Sequence, residues 1–362
     1  MRGGPPARLG YPAGMRGLLL VNLGTPEAPT PSAVRRYLAQ FLADGRVLDL
    51  PAPGRYALLY GAILPFRPFR SAHAYQKIWH PTLGSPLLAH GRALREAVAT
   101  RLGQGWTVAL AMRYGQPGLA AALAALQAAG ADEILVAPLY PQSASSTTGS
   151  TLAEVYRLAG ALPVVPALRV LPPFFQHPAW VAATAAIAAP HLADFAPDHV
   201  LFSFHGVPER QVRFTDLSPS GPGAHCLASP GCCDTLGPAN RACYRAHCAA
   251  SARALAAALG LADGTWSMSF QSRLGRIPWI RPYTDEVLPS LAAQGRRRVA
   301  VLCPSFVADC LETLEEIGIG ARESFAAATA GQGELRAIPC PNGDPRWADA
   351  LVQLVREAWP TG

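Results

Sequence analysis

Two ten-residue stretches of this chain share one pattern, an apolar run that breaks at Gly-x-Pro-Glu: Leu18 to Glu27 and Val200 to Glu209. Each reads as a buried strand stopped by two chain-breaking residues, because a short apolar run bounded in this way suits a strand covered on both faces. Ile134 to Pro141 and Val299 to Phe306 repeat the likeness as a strand running into proline. Segments of helical spacing lie between these strands, at Pro31 to Ala43 and at about residues 86 to 102, 116 to 129, 177 to 194, 243 to 260 and 345 to 358. Strands alternating with helices build parallel sheets, so the expected class is α/β with two doubly wound domains. A chain of 362 residues, 50% of them hydrophobic, can fill two such cores.

The ends and the charge narrow the function. Met1 to Gly14 is rich in Gly, Pro and Arg and lacks periodicity, so residues 1–15 are expected to be a disordered leader, with Met15 as an alternative start. The apolar run Gly17 to Leu23 is too short to span a membrane and no cleavage pattern follows it, so neither a spanning helix nor export is expected. The net charge of +7 comes from scattered residues, and the one triple, Arg296-Arg297-Arg298, reads as a solvated turn before a strand. No nucleic-acid partner is expected; an acidic small molecule or an anionic membrane surface suits the balance better.

Candidate chemistry sits at two strand ends. His199 to Phe204 would deliver His205 to the carboxyl edge of a sheet, where ligands bind in open α/β folds and an imidazole can move protons near neutrality; a hydrogen-bonded turn histidine is the plain alternative. In the second half a strand ends at Pro304 and leads into a helix carrying Glu312 and Glu316, four residues apart and therefore on one face. Such a pair makes an oxygen-rich patch for a hard cation, or merely offsets the helix dipole.

Together His199 to Pro208 and Cys303 to Ile317 resemble the two signature segments of ferrochelatases, enzymes that insert ferrous iron into a porphyrin. The resemblance runs from Arg16 to the final helix, apart from one insertion. It implies two similar Rossmann-like domains, residues 16–168 with a porphyrin lip at about 51–70 and residues 169–362. In that family the strand-end histidine and the glutamate of the D-x-x-E-T-L segment face each other across the porphyrin, here His205 and Glu312, with Glu316 as a further site for the iron substrate. Porphyrin contacts are implied at Leu23; at Arg67, in the aromatic and arginine end of the apolar segment Ala57 to Arg70; at Tyr75 and Ser85, from the Y-x-x-I…G-S-P pattern; at Arg113 and Tyr114, from an R-Y segment; and at Gln271, Ser272 and Trp279, from the nearly complete F-Q-S…G…P-W…P-x-T-D-E segment. Ser85 would cap a helix, and Gln271 and Ser272 would bond a propionate or backbone. The chain departs from the animal-type pattern at Cys310, where that pattern has His, and at Gly320, where its acidic ladder ends.

Five of the eight cysteines fall within 23 residues at the insertion, Cys226, Cys232, Cys233 and Cys243 inside it and Cys248 just beyond. Thiols crowded this closely suit a metal; disulfides are disfavoured in a reducing compartment, and no C-x-x-C knuckle marks zinc, although four thiolates would suit that ion too. Some ferrochelatases carry a [2Fe-2S] cluster, one bacterial subset in an internal insertion at this point. The resemblance therefore implies a cluster on Cys226, Cys232, Cys233 and Cys243 in the insert at about 213–243, with Cys248 as substitute because Tyr244-x-x-x-Cys248 resembles a pair also found in cluster-free members. The expected activity is insertion of Fe2+ into protoporphyrin IX to give protoheme, in the cytoplasm and peripheral to the inner face of the membrane, as monomer or homodimer. Coproporphyrin III as substrate, a sirohydrochlorin-type chelatase, and a non-catalytic tetrapyrrole-binding or iron-sensing protein are the alternatives.

Overall fold

The computed structural model describes residues 14–273, 275 and 277–359. Most of the expected leader lies outside them, and the first strand already begins at Met15. Two four-stranded sheets follow, all parallel. The first contains β1 (Met15–Thr25), β2 (Trp106–Gly115), β3 (Ala131–Pro138) and β4 (Ala167–Val170) in the order β2-β1-β3-β4; the second contains β5 (His199–His205), β6 (Trp266–Gln271), β7 (Arg298–Leu302) and β8 (Glu334–Ala337) in the order β6-β5-β7-β8. The orders are the same, with the repeated sequence pattern supplying a central strand to each sheet. In both, the chain leaves the central strand first to one side and then to the other, which opens a crevice beyond the strand ends. Leu18 to Asn22 and His199 to Phe204 are buried without a break, as strands covered by helices on both faces must be.

Helices form close to where their spacing predicts, and the differences have local causes. Pro31–Leu42 starts behind Thr30, whose Oγ1 accepts from the Ala33 amide at 3.4 Å, with Pro31 at the first helical position. The helix expected from residue 116 begins instead at Leu119, because Gly118 is extended and serves as its N-cap. Pro86–Leu102, Pro178–Phe195, Tyr244–Ala258 and Pro345–Ala358 complete the covering layers. The first sheet runs on to Val170, two residues beyond the expected division at 168. One buried cluster joins Leu18 and Leu20 of β1, Leu135 of β3, Phe202 and Phe204 of β5 and Trp347 and Leu351 of the final helix, so the two sheets share a core.

Two segments differ in kind from ordinary helices. The apolar stretch after Pro51 forms a helix, Ala52–Leu58, a π-helical turn, Leu59–Ile63, and then the helix Arg67–Ile78, leaving Phe66 74% and Phe69 64% exposed. Leu59 and Leu64 pack into the cluster of Val34, Tyr37 and Leu38, so the stretch is anchored to the domain by these two and presents its aromatics outward. Glu312–Ala321 is a ten-residue π-helix. Its wider turn places Glu312 and Glu316 less than one turn apart, where the sequence spacing implied a full α-helical turn. No described helix is long and apolar enough to cross a membrane.

Candidate active site and thiol cluster

His205 ends β5, the central strand of the second sheet, opposite Gln271 at the end of β6. Its Nδ1–H donates to the Gly206 carbonyl at 2.6 Å, which leaves the Nε2 lone pair as the ring's acceptor. The backbone around the ring is held on every side. The His205 N–H donates to Ser305 Oγ at 3.2 Å, its carbonyl accepts from the Tyr244 hydroxyl at 2.8 Å, and the next amide, Gly206 N–H, donates to the Gln271 carbonyl at 2.8 Å. A Cβ at position 206 would stand 2.9 Å from that carbonyl and 3.2 Å from the Trp279 ring, so glycine is required for the close approach. Trp279 is half-buried beside this turn, and Phe306 meets the imidazole edge-on at 6.2 Å between centroids.

The π-helix brings the carboxylates. Its start is fixed by Asp309, which is buried and accepts from Thr313 Oγ1 (2.9 Å) and Asn342 Nδ2 (2.7 Å). Gln271 donates through Nε2 to the Glu312 carbonyl (3.1 Å), while the Ser272 amide and hydroxyl donate to the Glu316 carboxylate at 2.8 and 2.5 Å. These two side chains thus hold the π-helix itself. Burial pushes the Glu316 pKa up; Ser272 and His205 oppose the rise and Glu312 adds to it, so histidine and both carboxylates share one electrostatic environment.

The first domain supplies the facing wall. Arg67 is half-buried; burial lowers its pKa and the Glu312 charge opposes the fall. Tyr37 and Tyr75 are buried, and burial followed by neighbours that include Glu312 raises the pKa of each hydroxyl. Leu23 packs against the same apolar cluster as these tyrosines, Tyr114 and Leu311. Arg113 and Tyr114 are tied into a polar network: Asp44 accepts from Arg113 Nη2 (2.8 Å), the Tyr114 hydroxyl (2.9 Å) and Ser150 Oγ (2.5 Å). Burial would raise the Asp44 pKa, but Ser150, the Arg46 amide, Tyr114 and Arg113 together hold it below the ordinary value. Ser85 is buried at the N-cap position of Pro86–Leu102 but makes no side-chain capping bond, contrary to its expected role. The structure therefore brings His205, Glu312, Glu316, Gln271, Ser272, Arg67 and Tyr75 together and sets Arg113 and Tyr114 on the adjoining network. An apolar pocket of about 390 Å³ lined by Leu192, Val200 and Leu259 lies at the other end of β5, away from these groups.

All five of these cysteines are buried as free thiols. Cys232 Sγ and Cys233 Sγ are 3.6 Å apart, and Cys243, buried beside them, perturbs the pKa of both Cys226 and Cys233. Donors point at this sulfur group: Arg245 Nη1 reaches Cys233 at 3.2 Å and Cys232 at 3.9 Å, and the Leu227 amide reaches Cys232 at 3.4 Å. Burial raises the Cys226 pKa to about 11 and, after the contact with Cys243, raises that of Cys233. Cys248 lies within the helix Tyr244–Ala258, its thiol bonded to Tyr244. Among the described residues no group of three or more His, Cys, Asp and Glu side chains is arranged to hold a metal ion as it stands. The loop is nonetheless ordered. Asp216 accepts from the amides of Ser218, His225 and Cys226 (2.9, 2.8 and 2.8 Å), and buried Asn240 donates to the carbonyls of Cys232 and Thr235 (both 2.9 Å). Neither residue was identified from sequence, although Asp216-x-Ser218 carries the signature of an Asx-turn.

Residues 15–359 match the protein-family model described as Ferrochelatase. The chain is 51% identical to the ferrochelatase of Azotobacter vinelandii over 340 residues, 94% of this chain and 98% of that one. It is 43% identical to the ferrochelatase of Coxiella burnetii over 342 residues, 94% and 93% of the two chains. Among solved structures it is similar to SirB from Bacillus subtilis with Fe3+, at a TM-score of 0.51 and 12% identity over 95% of this chain and 96% of that one. That last likeness concerns the fold alone.

Proposed function

Since this chain belongs to the ferrochelatase family, we propose that it inserts Fe2+ into protoporphyrin IX, breaking two pyrrole N–H bonds, binding the iron to all four ring nitrogens and releasing two protons with protoheme. The observation that carries the residue assignment is the bridge from the end of β6: Gln271, the register partner of His205, donates to the Glu312 carbonyl, and the next residue, Ser272, holds the Glu316 carboxylate. Metal insertion requires a proton acceptor and oxygen ligands that give up the ion readily. His205 presents the Nε2 lone pair, while Glu312 and Glu316 supply hard oxygens from a π-helix whose backbone is held by Gln271 and whose second carboxylate is oriented by Ser272. Arg67 and Tyr75 on the facing wall suit the acidic edge and the flat face of a porphyrin. A sirohydrochlorin-type activity has only the 12% likeness of fold behind it, against 51% identity to a ferrochelatase. The exposed Tyr60, Phe66 and Phe69 beside Arg70 form an apolar, cationic rim suited to peripheral contact with a membrane, which is consistent with a cytoplasmic protein docking on its inner face.

The thiols suit the donor chemistry of a [2Fe-2S] cluster: all are buried, the Cys232 and Cys233 sulfurs lie 3.6 Å apart, and a guanidinium and an amide are directed at that pair to offset thiolate charge. Cys226, Cys232, Cys233 and Cys243 would hold it, each giving up its thiol proton on binding. When bound, such a cluster supplies one-electron redox chemistry and a covalent cross-link of the loop. Cys248, bonded to Tyr244 inside the helix, stands outside the set.

The test is His205→Ala, read with zinc insertion and porphyrin fluorescence quenching side by side. Insertion should fall below detection while porphyrin still binds. Insertion within a few-fold of wild type would remove His205 from the mechanism.

A further inference from the structure

The geometry points to Tyr244 and Ser305 as the positioning residues of His205, a clamp on the backbone that fixes where the imidazole stands; this rests on the ferrochelatase reading of His205. Tyr244 opens the helix Tyr244–Ala258 and Ser305 follows β7, so the two approach the end of β5 from different elements. The Tyr244 hydroxyl donates to the His205 carbonyl at 2.8 Å and lies 3.0 Å from Ser305 Oγ, which in turn accepts the His205 N–H at 3.2 Å. These three bonds close a ring around the residue's backbone. The Gly206 N–H of the peptide that follows donates to the Gln271 carbonyl, and the Gly206 carbonyl, one peptide further on, receives the Nδ1 proton, so a shift of the His205 backbone would move the imidazole against its own acceptor. Tyr244 is buried among the residues behind the sheet and has no place in the porphyrin wall.

A group that acts through another changes turnover and leaves substrate binding alone. Tyr244→Phe keeps the packed ring and removes only the hydroxyl; Ser305→Ala removes the other half of the clamp. With zinc as the probe ion and protoporphyrin IX as substrate, each variant should lose about 10-fold in kcat, the order expected when a reacting group is displaced by a fraction of an ångström. KM for porphyrin should stay within two-fold. The double variant should fall no further than the worse single one, because both act on one backbone position. Unchanged kcat in both variants, a KM that rises in place of a kcat that falls, or losses that multiply in the double variant would overturn the clamp. A wild-type chain that inserts no zinc would refute the ferrochelatase reading instead, so the two failures are separable.

Discussion

Glu312 and Glu316 are four residues apart and meet different partners, and that difference sets their roles. The Glu316 carboxylate is already engaged by two donors from Ser272, whereas Glu312 is held through its backbone carbonyl, leaving its side chain toward Arg67 and the buried tyrosines. Glu312→Gln should therefore lower metal insertion by about 10²- to 10⁴-fold, the range of a positioned acid or base. Glu316→Gln should lose far less, and zinc insertion rates for the two variants check the order; equal small losses would reduce both to helix-end electrostatics. His205 and both glutamates were legible in sequence because each lies at a strand end or in a short motif whose spacing fixes its neighbours. Asp44 was not. Its partners Arg113 and Ser150 come from 69 and 106 residues away, and nothing local to Asp44-Gly45 announces a buried carboxylate.

At the level of elements, sequence periodicity located the central strand of each sheet, its neighbours β3 and β7 and six of the helices, since a central strand covered on both faces reads as an unbroken apolar run, while the short edge strands β4 and β8 left no such trace. It could not distinguish the π-helix Glu312–Ala321 from an α-helix, because one extra residue per turn leaves little trace in a short apolar pattern. Polar bonds centred on Asp216 and Asn240 tie the cysteine loop, which makes its stability depend on acid. Burial works against the Asp216 charge, but Ser218 and the amides of Cys226, His225 and Ser218 outweigh it and keep the pKa below its ordinary value. A carboxylate depressed in this way stabilises the fold above the unfolded pKa, about 3.9, and that contribution is lost as pH falls through the folded value. Hydrogen exchange at the His225 and Cys226 amides should accordingly lose protection relative to intrinsic rates below about pH 4. In Asp216→Ala the protection should be weak at every pH and the acid dependence absent; an unchanged acid profile in that variant would assign the loop's order elsewhere.

Over the whole molecule, duplication and union are both visible, and they have different sequence signals. The two sheets repeat one strand order, which the repeated Gly-x-Pro-Glu pattern anticipates, but the core they share is built by residues too far apart to be paired by reading along the chain. Polar ties reinforce it. Gln142, 2% exposed, donates from the first domain to Ser251 Oγ at 2.8 Å and to the Pro304 carbonyl at 3.3 Å; the Ser143 amide donates to His247 Nδ1, whose ring stacks on Phe175 with centroids 4.0 Å apart; and Lys77 meets Glu315 at 2.9 Å. Of these the exposed ion pair contributes little, while a buried donor whose acceptors have no water to replace it contributes much more. Gln142→Ala should therefore cost about 1–3 kcal/mol, through acceptors left unpaired in the core. Because the apolar cluster spans both sheets, the loss should lower the denaturation midpoint of the entire chain and leave a single transition, with tryptophan fluorescence and far-ultraviolet circular dichroism changing together. Two separated midpoints in wild type would show that the sheets unfold independently and that their common core is only a contact. One midpoint shifted in the variant would show that the crevice holding His205 is set by the union of the two halves, which neither half's sequence pattern specifies alone.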